Sequence, residues 1–129
     1  MTFIWHKGLP YISVVLNIGG VEIAFSNVLI DSGAASSLFN IEKLFENGLG
    51  VDKNDIICEM IGIGGTEYVI QRQIHSAQIA QSTVVKPTVQ FGEMDYGFDI
   101  EGLIGADILR DMGAVIDFRR NTITSTLPI

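Results

Sequence analysis

Residues 28–34 read Val28-Leu29-Ile30-Asp31-Ser32-Gly33-Ala34, an apolar run that leads directly into Asp-Ser-Gly. The apolar residues predict a buried strand, and the small residues after it predict a tight turn. A carboxylate at the end of a strand, held by a glycine turn, can be aimed into a cleft. The stretch therefore marks Asp31 as the first candidate for chemistry. The alternative is that Asp31 only begins a turn and accepts hydrogen bonds from nearby amides.

Two later segments add to this motif. Met60-Ile61-Gly62-Ile63-Gly64-Gly65 has the composition of a glycine-rich hairpin tip. Gly102-Leu103-Ile104-Gly105-Ala106-Asp107-Ile108-Leu109 predicts a short apolar strand, a glycine and the start of a helix. A phosphate-binding glycine loop is a weaker interpretation of the first segment. Such a loop needs a lysine and a helix directly after it, whereas residues 66–70 predict a strand.

The three segments, in this order, resemble the retropepsin-like aspartic proteases. The resemblance covers nearly the whole chain, from residue 9 to residue 118. The closing segments, 105–110 and 114–117, are more similar to cellular and bacterial members than to viral ones. Viral enzymes carry an ion pair between an acidic residue after Asp-Thr-Gly-Ala and an arginine after the second glycine. This chain has Ala35 and Ala106 there, so viral substrate subsites and dimer contacts do not transfer to it.

The resemblance implies a mainly β fold, a small closed β-barrel of the acid-protease type with one or two short helices. It implies a homodimer in which each subunit supplies one Asp31. Two close carboxylates that share a proton can activate water and protonate a peptide carbonyl, because two like charges so close cannot both ionise. The function expected is therefore an aspartic endopeptidase acting on peptide or protein substrates. A non-catalytic dimeric peptide-binding module on the same fold is the alternative.

The resemblance also assigns roles to the neighbours of Asp31. Ser32 would brace the two active-site loops across the dimer axis, and Gly33 would permit close approach of the backbone. Ala34 lies where family members approach substrate with backbone groups. For all three, ordinary turn chemistry is the alternative interpretation.

The glycine-rich tip resembles the flap of the family, a hairpin that closes over a bound peptide and excludes water. Its predicted substrate-binding residues are Gly62, Ile63, Gly64 and Gly65. Ile63 could cover the substrate, and the glycines give the hairpin freedom to move. The alternative is an ordinary hairpin turn.

Composition and length limit the number of domains, the class of protein and the kinds of partner. A chain of 129 residues with 47% hydrophobic residues predicts one domain, residues 1–129, with a well-filled core. It is too short for two large lobes, which excludes two-lobed aspartic proteases and actin-like ATPases. A net charge of −7 argues against nucleic acid and anionic membranes as partners.

A cytoplasmic, soluble protein without cofactor is expected. The first eight residues lack the pattern of a signal peptide, and the single Cys58 permits a reducing compartment. His6 and His75 have no metal-ligand spacing to each other or to Cys58, so no metal site is predicted.

Local patterns predict the elements. A hairpin is expected around Gly19-Gly20, and a short helix after Asn40. A strand is expected over 84–91, where Pro87 favours an edge position or a bulge. A second short helix is expected over 107–112, and a last hairpin around residues 119–121. Asp107 should accept hydrogen bonds from backbone donors at the start of its helix, a structural role.

Overall fold

The computed structural model describes residues 1–62, 65–96 and 99–127 of the chain. The described residues form a mainly β structure with two short helices. The helices are α1 (Ile41–Glu46) and α2 (Ala106–Asp111). The strands are β1 (Ile4–His6), β2 (Leu9–Ile18), β3 (Val21–Ile30), β4 (Leu38–Asn40), β5 (Ile56–Gly62), β6 (Gly65–Gln73), β7 (Ser76–Ile79), β8 (Ser82–Val85), β9 (Thr88–Gly92), β10 (Gly102–Ile104), β11 (Val115–Asp117) and β12 (Thr122–Thr124).

Ten of these strands form one mixed sheet. Their order is β5-β6-β9-β4-β10-β3-β2-β7-β8, with β1 paired to β2 outside this path. Most neighbours are antiparallel, but β10 runs parallel to β3 and β4 runs parallel to β9. The pairing path of the described strands ends at β5 and β8, and no closure between them is found. The mainly β prediction is confirmed, whereas a closed barrel is not.

The predicted hairpins and helices are found with small shifts of their ends. α1 begins where expected, because the Asn40 side chain accepts a hydrogen bond of 3.1 Å from the backbone N–H of Glu42. The predicted single strand over 84–91 is wrong. Lys86 has a φ of 51°, which ends β8, and β9 begins two residues later. An additional hairpin, β7–β8, turns through Ala80 and Gln81.

Aromatic side chains from non-neighbouring segments fill the centre of the core. Phe25 and Phe39 meet edge to face with ring centroids 5.1 Å apart, and Phe91 lies 6.4 Å from Phe39. All three rings are fully buried. Because they come from β3, β4 and β9, they hold together strands that are distant in the chain. Truncation of one such ring costs about 3–5 kcal/mol.

The first residues of the chain pair with β12 and the residue before it. The amino group of Met1 donates to the carbonyl of Ile123, and the Ile123 amide donates back to Met1. Thr2 and Thr122 form an antiparallel bridge. The first residues of the chain are thereby joined to the β11–β12 hairpin, which is outside the ten-stranded sheet. Among the described residues, neither helix is long and apolar enough to cross a bilayer.

A bidentate ion pair fixes the base of the β5–β6 hairpin. Arg72 donates from Nε and Nη2 to the two carboxylate oxygens of Asp55, each at 2.6 Å, and also from Nη2 to the carbonyl of Gly50. The Asp55 side chain is almost completely buried. Its hydrogen bonds to Arg72 lower the pKa of Asp55 despite the opposing effect of burial.

We expect Asp55→Asn to destabilise the protein by about 1–3 kcal/mol at neutral pH, because the Arg72 guanidinium loses its charged partner. The folded-state pKa of Asp55 is lower than the ordinary value of 3.8, so its stabilisation is complete above that value. It is lost as the pH falls through the folded-state pKa. Urea unfolding of both proteins from pH 7 to pH 2 measures the difference. A difference that stays constant down to pH 2 would contradict this account.

Candidate active site

Asp31 directly follows the last residue of β3. Its backbone N–H donates a 2.9 Å hydrogen bond to the carbonyl of Ile104, the last residue of β10. The parallel pairing of these strands, with Ile30 opposite Ile104, therefore extends to the aspartate itself. The predicted position of Asp31 at the end of a strand is confirmed.

The turn after β3 orients the Asp31 side chain. The Ala34 N–H donates to the Asp31 carbonyl at 3.1 Å, and the Gly33 N–H donates to Oδ1 at the same distance. Among the described residues, this bond from Gly33 is the only one that the Asp31 carboxylate accepts. The carboxylate is half-buried, and Ser32 and Gly33 are exposed. One carboxylate oxygen is thus fixed by its own turn, and the other is available to another group.

Gly33 is not required by the shape of its own turn. Its φ is not positive, and a Cβ there would lie 3.4 Å from Oδ1 of Asp31, an ordinary contact. Within one chain an alanine would fit. If glycine is required at position 33, the reason must be a group from outside the chain that approaches the loop.

A second loop packs directly against the first. The Ala106 N–H donates to the Ala34 carbonyl at 2.7 Å. A Cβ on Gly105 would lie 2.7 Å from that carbonyl oxygen and 2.9 Å from the carbonyl group of Ser36. Only glycine permits this approach, because the atoms that would be in the way belong to the backbone. The Gly105 found in the sequence motif therefore has a steric function next to the Asp31 loop.

Asp107 and Ser37 lock the two loops together. Oδ1 of Asp107 accepts from the Ser37 hydroxyl at 2.7 Å, and Oδ2 accepts from the Ser37 N–H at 3.0 Å. The Ser37 hydroxyl accepts in turn from the Gly105 N–H at 2.9 Å. Asp107 also accepts from the N–H of Ile108, in the first turn of α2.

The structural role predicted for Asp107 is therefore confirmed. Asp107 accepts a backbone hydrogen bond in the first turn of α2 and also joins the two loops. Ser37 was not singled out by the sequence, although it is completely buried. The sequence contains only a weak signal for the role of Ser37. Ser36 and Ser37 are adjacent and chemically equivalent, and only the fold makes one face Asp107 and the other face solvent.

The predicted flap is the β5–β6 hairpin, with Gly62 opposite Gly65 at its end. Ile63 and Gly64 lie outside the described residues. At its base the hairpin reaches the strands that carry the Asp31 loop through an apolar cluster. Val69 of β6 packs there with Tyr11, Leu38, Met94 and Ile100, and Leu29 and Leu103 border the cluster. Leu29 and Leu103 are register partners one residue before the ends of β3 and β10.

Two cavities lie away from Asp31. One of about 1060 Å³ is lined by the 49–56 segment, Arg72 and His75, and one of about 500 Å³ by Trp5, His6 and Tyr11. Asp31 lines neither of them.

Metal-binding groups do not cluster in the part of the chain that the structure describes. No three His, Cys, Asp or Glu side chains there could hold a metal ion together. Cys58 is half-buried on β5, with its Sγ 3.7 Å from Oε1 of Gln71. It borders the apolar cluster below the hairpin, which fits a packing role.

A search with protein-family models and a search of curated proteins each found no match to this chain.

We expect Asp107→Asn to lower the free energy of unfolding by about 1–3 kcal/mol, because the amide nitrogen cannot accept one of the bonds now made by Asp107. Asp111→Asn, at an exposed position of the same helix, should change it by less than about 0.5 kcal/mol. Urea denaturation followed by tryptophan fluorescence measures both. Equal stability of the two variants would mean that the lock between the loops contributes nothing.

Proposed function

We propose that the protein is a homodimeric aspartic endopeptidase with a retropepsin-type fold, in which Asp31 of each subunit forms a catalytic pair. The observation that carries the proposal is the state of Asp31. Its carboxylate stands at the end of a strand, fixed through one oxygen by Gly33, and the loop that holds it is exposed. A carboxylate that is bonded through one oxygen only, on a fixed backbone beside exposed residues, suits a site that a second chain completes.

The rigidity of the surrounding loops supports the proposal. The Asp31 loop is held by β10, by the Ala34–Ala106 contact and by the Ser37–Asp107 lock. Catalytic groups need such support, because small errors in position reduce the rate strongly. All three restraints come from the segment 104–107, so this segment and the Asp31 loop are held as one unit.

The chemistry follows from two carboxylates about 3 Å apart, of which one is protonated. The ionised Asp31 takes a proton from a water molecule, and the water oxygen bonds to the peptide carbonyl carbon. The protonated Asp31 of the other subunit gives its proton to the carbonyl oxygen. The newly protonated Asp31 then gives its proton to the amide nitrogen, and the ionised Asp31 takes a proton from one hydroxyl of the tetrahedral diol. The C–N bond breaks, a carboxylic acid and an amine are released, and the pair has its starting protonation state again.

Ser32, Gly33 and Ala34 act in this proposal next to the reacting groups. Ser32 is exposed, so its hydroxyl can donate across the dimer axis to the partner loop. Gly33 presents no Cβ to the partner loop. Ala34 uses its carbonyl for Ala106, so it approaches substrate through its small side chain and the backbone around it.

The β5–β6 hairpin is the proposed flap. Gly62, Ile63, Gly64 and Gly65 close over the peptide and exclude water from the site. The apolar cluster around Val69 supports this role. It connects the hairpin to Leu29 and Leu103, on the strands that carry the Asp31 loop.

Asp31→Asn should lower peptide hydrolysis at least about a hundredfold, because the amide can neither take the proton from water nor share one. The stability of the variant should be close to that of the native protein. Pepstatin-sensitive cleavage of a peptide library measures the activity, and Asp111→Asn is the matched control. Cleavage by Asp31→Asn at the native rate would refute the assignment of Asp31.

Activity should also require the dimer. Well below the dissociation constant, the rate should rise with the square of protein concentration, because two chains are needed for one site. Sedimentation velocity and cleavage rate, measured over the same dilution series, test this. Constant specific activity in a range where the protein is monomeric would contradict the proposal. A symmetric dimer without cleavage would instead support the peptide-binding module.

A further inference from the structure

A cleft of about 370 Å³ is lined by residues of β6, β9, α2 and the segment 31–37 that carries Asp31. We refer to it as the glutamine cleft. Its lining includes Ser36, Gln71, Gln90 and Asp107. Because Ser36 belongs to the same loop as Asp31, the glutamine cleft adjoins the candidate active site.

The two glutamines lie on the same face of the sheet as Asp31. Gln71 on β6 is the register partner of Gln90 on β9. From Gln90 the row of partners continues across β4, β10 and β3 through Leu38, Leu103 and Leu29. Leu29 is two residues before Asp31, and side chains two residues apart on a strand share a face. A peptide that reaches Asp31 along this face therefore passes the glutamines.

The side-chain amide of Gln90 has no partner, although its backbone is fixed. The backbone N–H of Gln90 donates a 3.0 Å hydrogen bond to the carbonyl of Ser37. The side-chain Oε1 is buried, and none of the described residues donates to it. A buried acceptor without a donor is unfavourable and rare in native proteins. Because no described hydrogen bond holds this amide, it can turn towards the cleft without losing one.

Gln71 brings a second amide next to the first. Its Oε1 accepts from Sγ of Cys58 at 3.7 Å, and a thiol is a weak donor. Directly opposite side chains on neighbouring antiparallel strands have Cβ atoms about 4.5–5.5 Å apart, so one small group can reach both amides. The pair thus offers an acceptor and a donor side by side.

The charges around the cleft favour a neutral ligand over an ionised one. Asp107 already accepts hydrogen bonds from Ser37 and Ile108. Lys86 and Asp111 also line the cleft, but they have opposite charges and are both exposed, so water screens them. An ammonium group beside the glutamines would leave water without a carboxylate bonded to it, which is costly.

We propose that the glutamine cleft binds the carboxamide side chain of an asparagine or glutamine in the peptide substrate, so that Gln71 and Gln90 determine specificity. A primary amide carries two N–H donors and one carbonyl acceptor. It donates to Oε1 of Gln90 and accepts from Nε2 of Gln71. An apolar side chain leaves both glutamines unpaired, and polar sites reject such analogues. The identity of the ligand as substrate rests on the proposed peptidase function.

Cleavage of a peptide library tests the preference. At one fixed position on one side of the scissile bond, peptides with asparagine or glutamine should have a kcat/KM at least about fivefold higher than matched peptides with leucine or methionine. Cleavage without such a position, or a stronger preference for lysine there, would overturn this inference and leave the proposed function standing. Absence of all cleavage would instead count against the proposed function, and the cleft is then tested by binding.

Nuclear magnetic resonance of the ¹⁵N-labelled full chain tests the cleft without cleavage, because it observes glutamine side-chain amides directly. Titration with N-acetyl-glutamine-methylamide should shift the side-chain amide signals of Gln71 and Gln90 saturably. N-acetyl-methionine-methylamide, of similar shape, should bind at least about fivefold more weakly. Shifts confined to other signals, or equal binding of the two compounds, would overturn the proposal.

Matched variants identify the group that discriminates. Gln90→Met keeps the length of the side chain and removes its amide, so the difference between the two compounds should disappear. Gln78→Met, at an exposed position on β7 that does not line the cleft, should keep it. The same spectra report whether each variant is folded. A folded Gln90→Met protein that still prefers the glutamine compound would refute the role of Gln90.

Discussion

The hydrogen bonds of Asp107 are the interaction on which the candidate site depends. They join Ser37, just before β4, to the first turn of α2, although the two residues are 70 positions apart in the chain. The Gly105 N–H completes this network through the Ser37 hydroxyl. Because the bonds are charge-assisted and partly buried, they are stronger than ordinary surface contacts. The Asp31 loop keeps its shape because both its flanking strands and this network hold it.

The close approach of two backbones restricts which residue can stand at position 105. Gly105 leaves room for the Ala34 carbonyl, and no flexible side chain could move aside there, since the neighbouring atoms are backbone. The sheet continues this constraint, because β10 lies between β4 and β3 and pairs with both. Three features that are separate in the sequence therefore depend on one another: the strand before Asp31, the strand before Gly105, and the helix that begins at Ala106.

Caps and turns could be predicted from the sequence where a few adjacent residues specify them. The Asn40 cap, the Gly19-Gly20 turn and the Asp31 turn follow from the chemistry of a few adjacent residues. The β7–β8 hairpin could not be predicted, because Ala80 and Gln81 adopt positive φ angles that favour glycine or asparagine. Lys86 interrupts the expected 84–91 strand in the same way. In both places, pairing and burial of the flanking strands outweigh the local preference.

For the candidate site, the sequence indicated Asp31 and Asp107 but not the partner that connects them. Ser37 becomes important only through a contact across the sheet, and no spacing rule predicts such a contact. The order of the strands is also beyond local patterns, since β4 lies between β9 and β10. The parallel pairing of β3 with β10 brings residues 28–30 next to residues 102–104.

That pairing has a consequence for how the protein is made. The hairpins β2–β3 and β5–β6 close short loops and can form early, whereas β10 must find β3 across more than half of the chain, at a high entropic cost. During synthesis, β10 and α2 emerge from the ribosome after the Asp31 segment. A nascent chain therefore carries the aspartate long before it carries the loop that fixes it. The arrangement of Asp31 is completed only after β10 and α2 have been made.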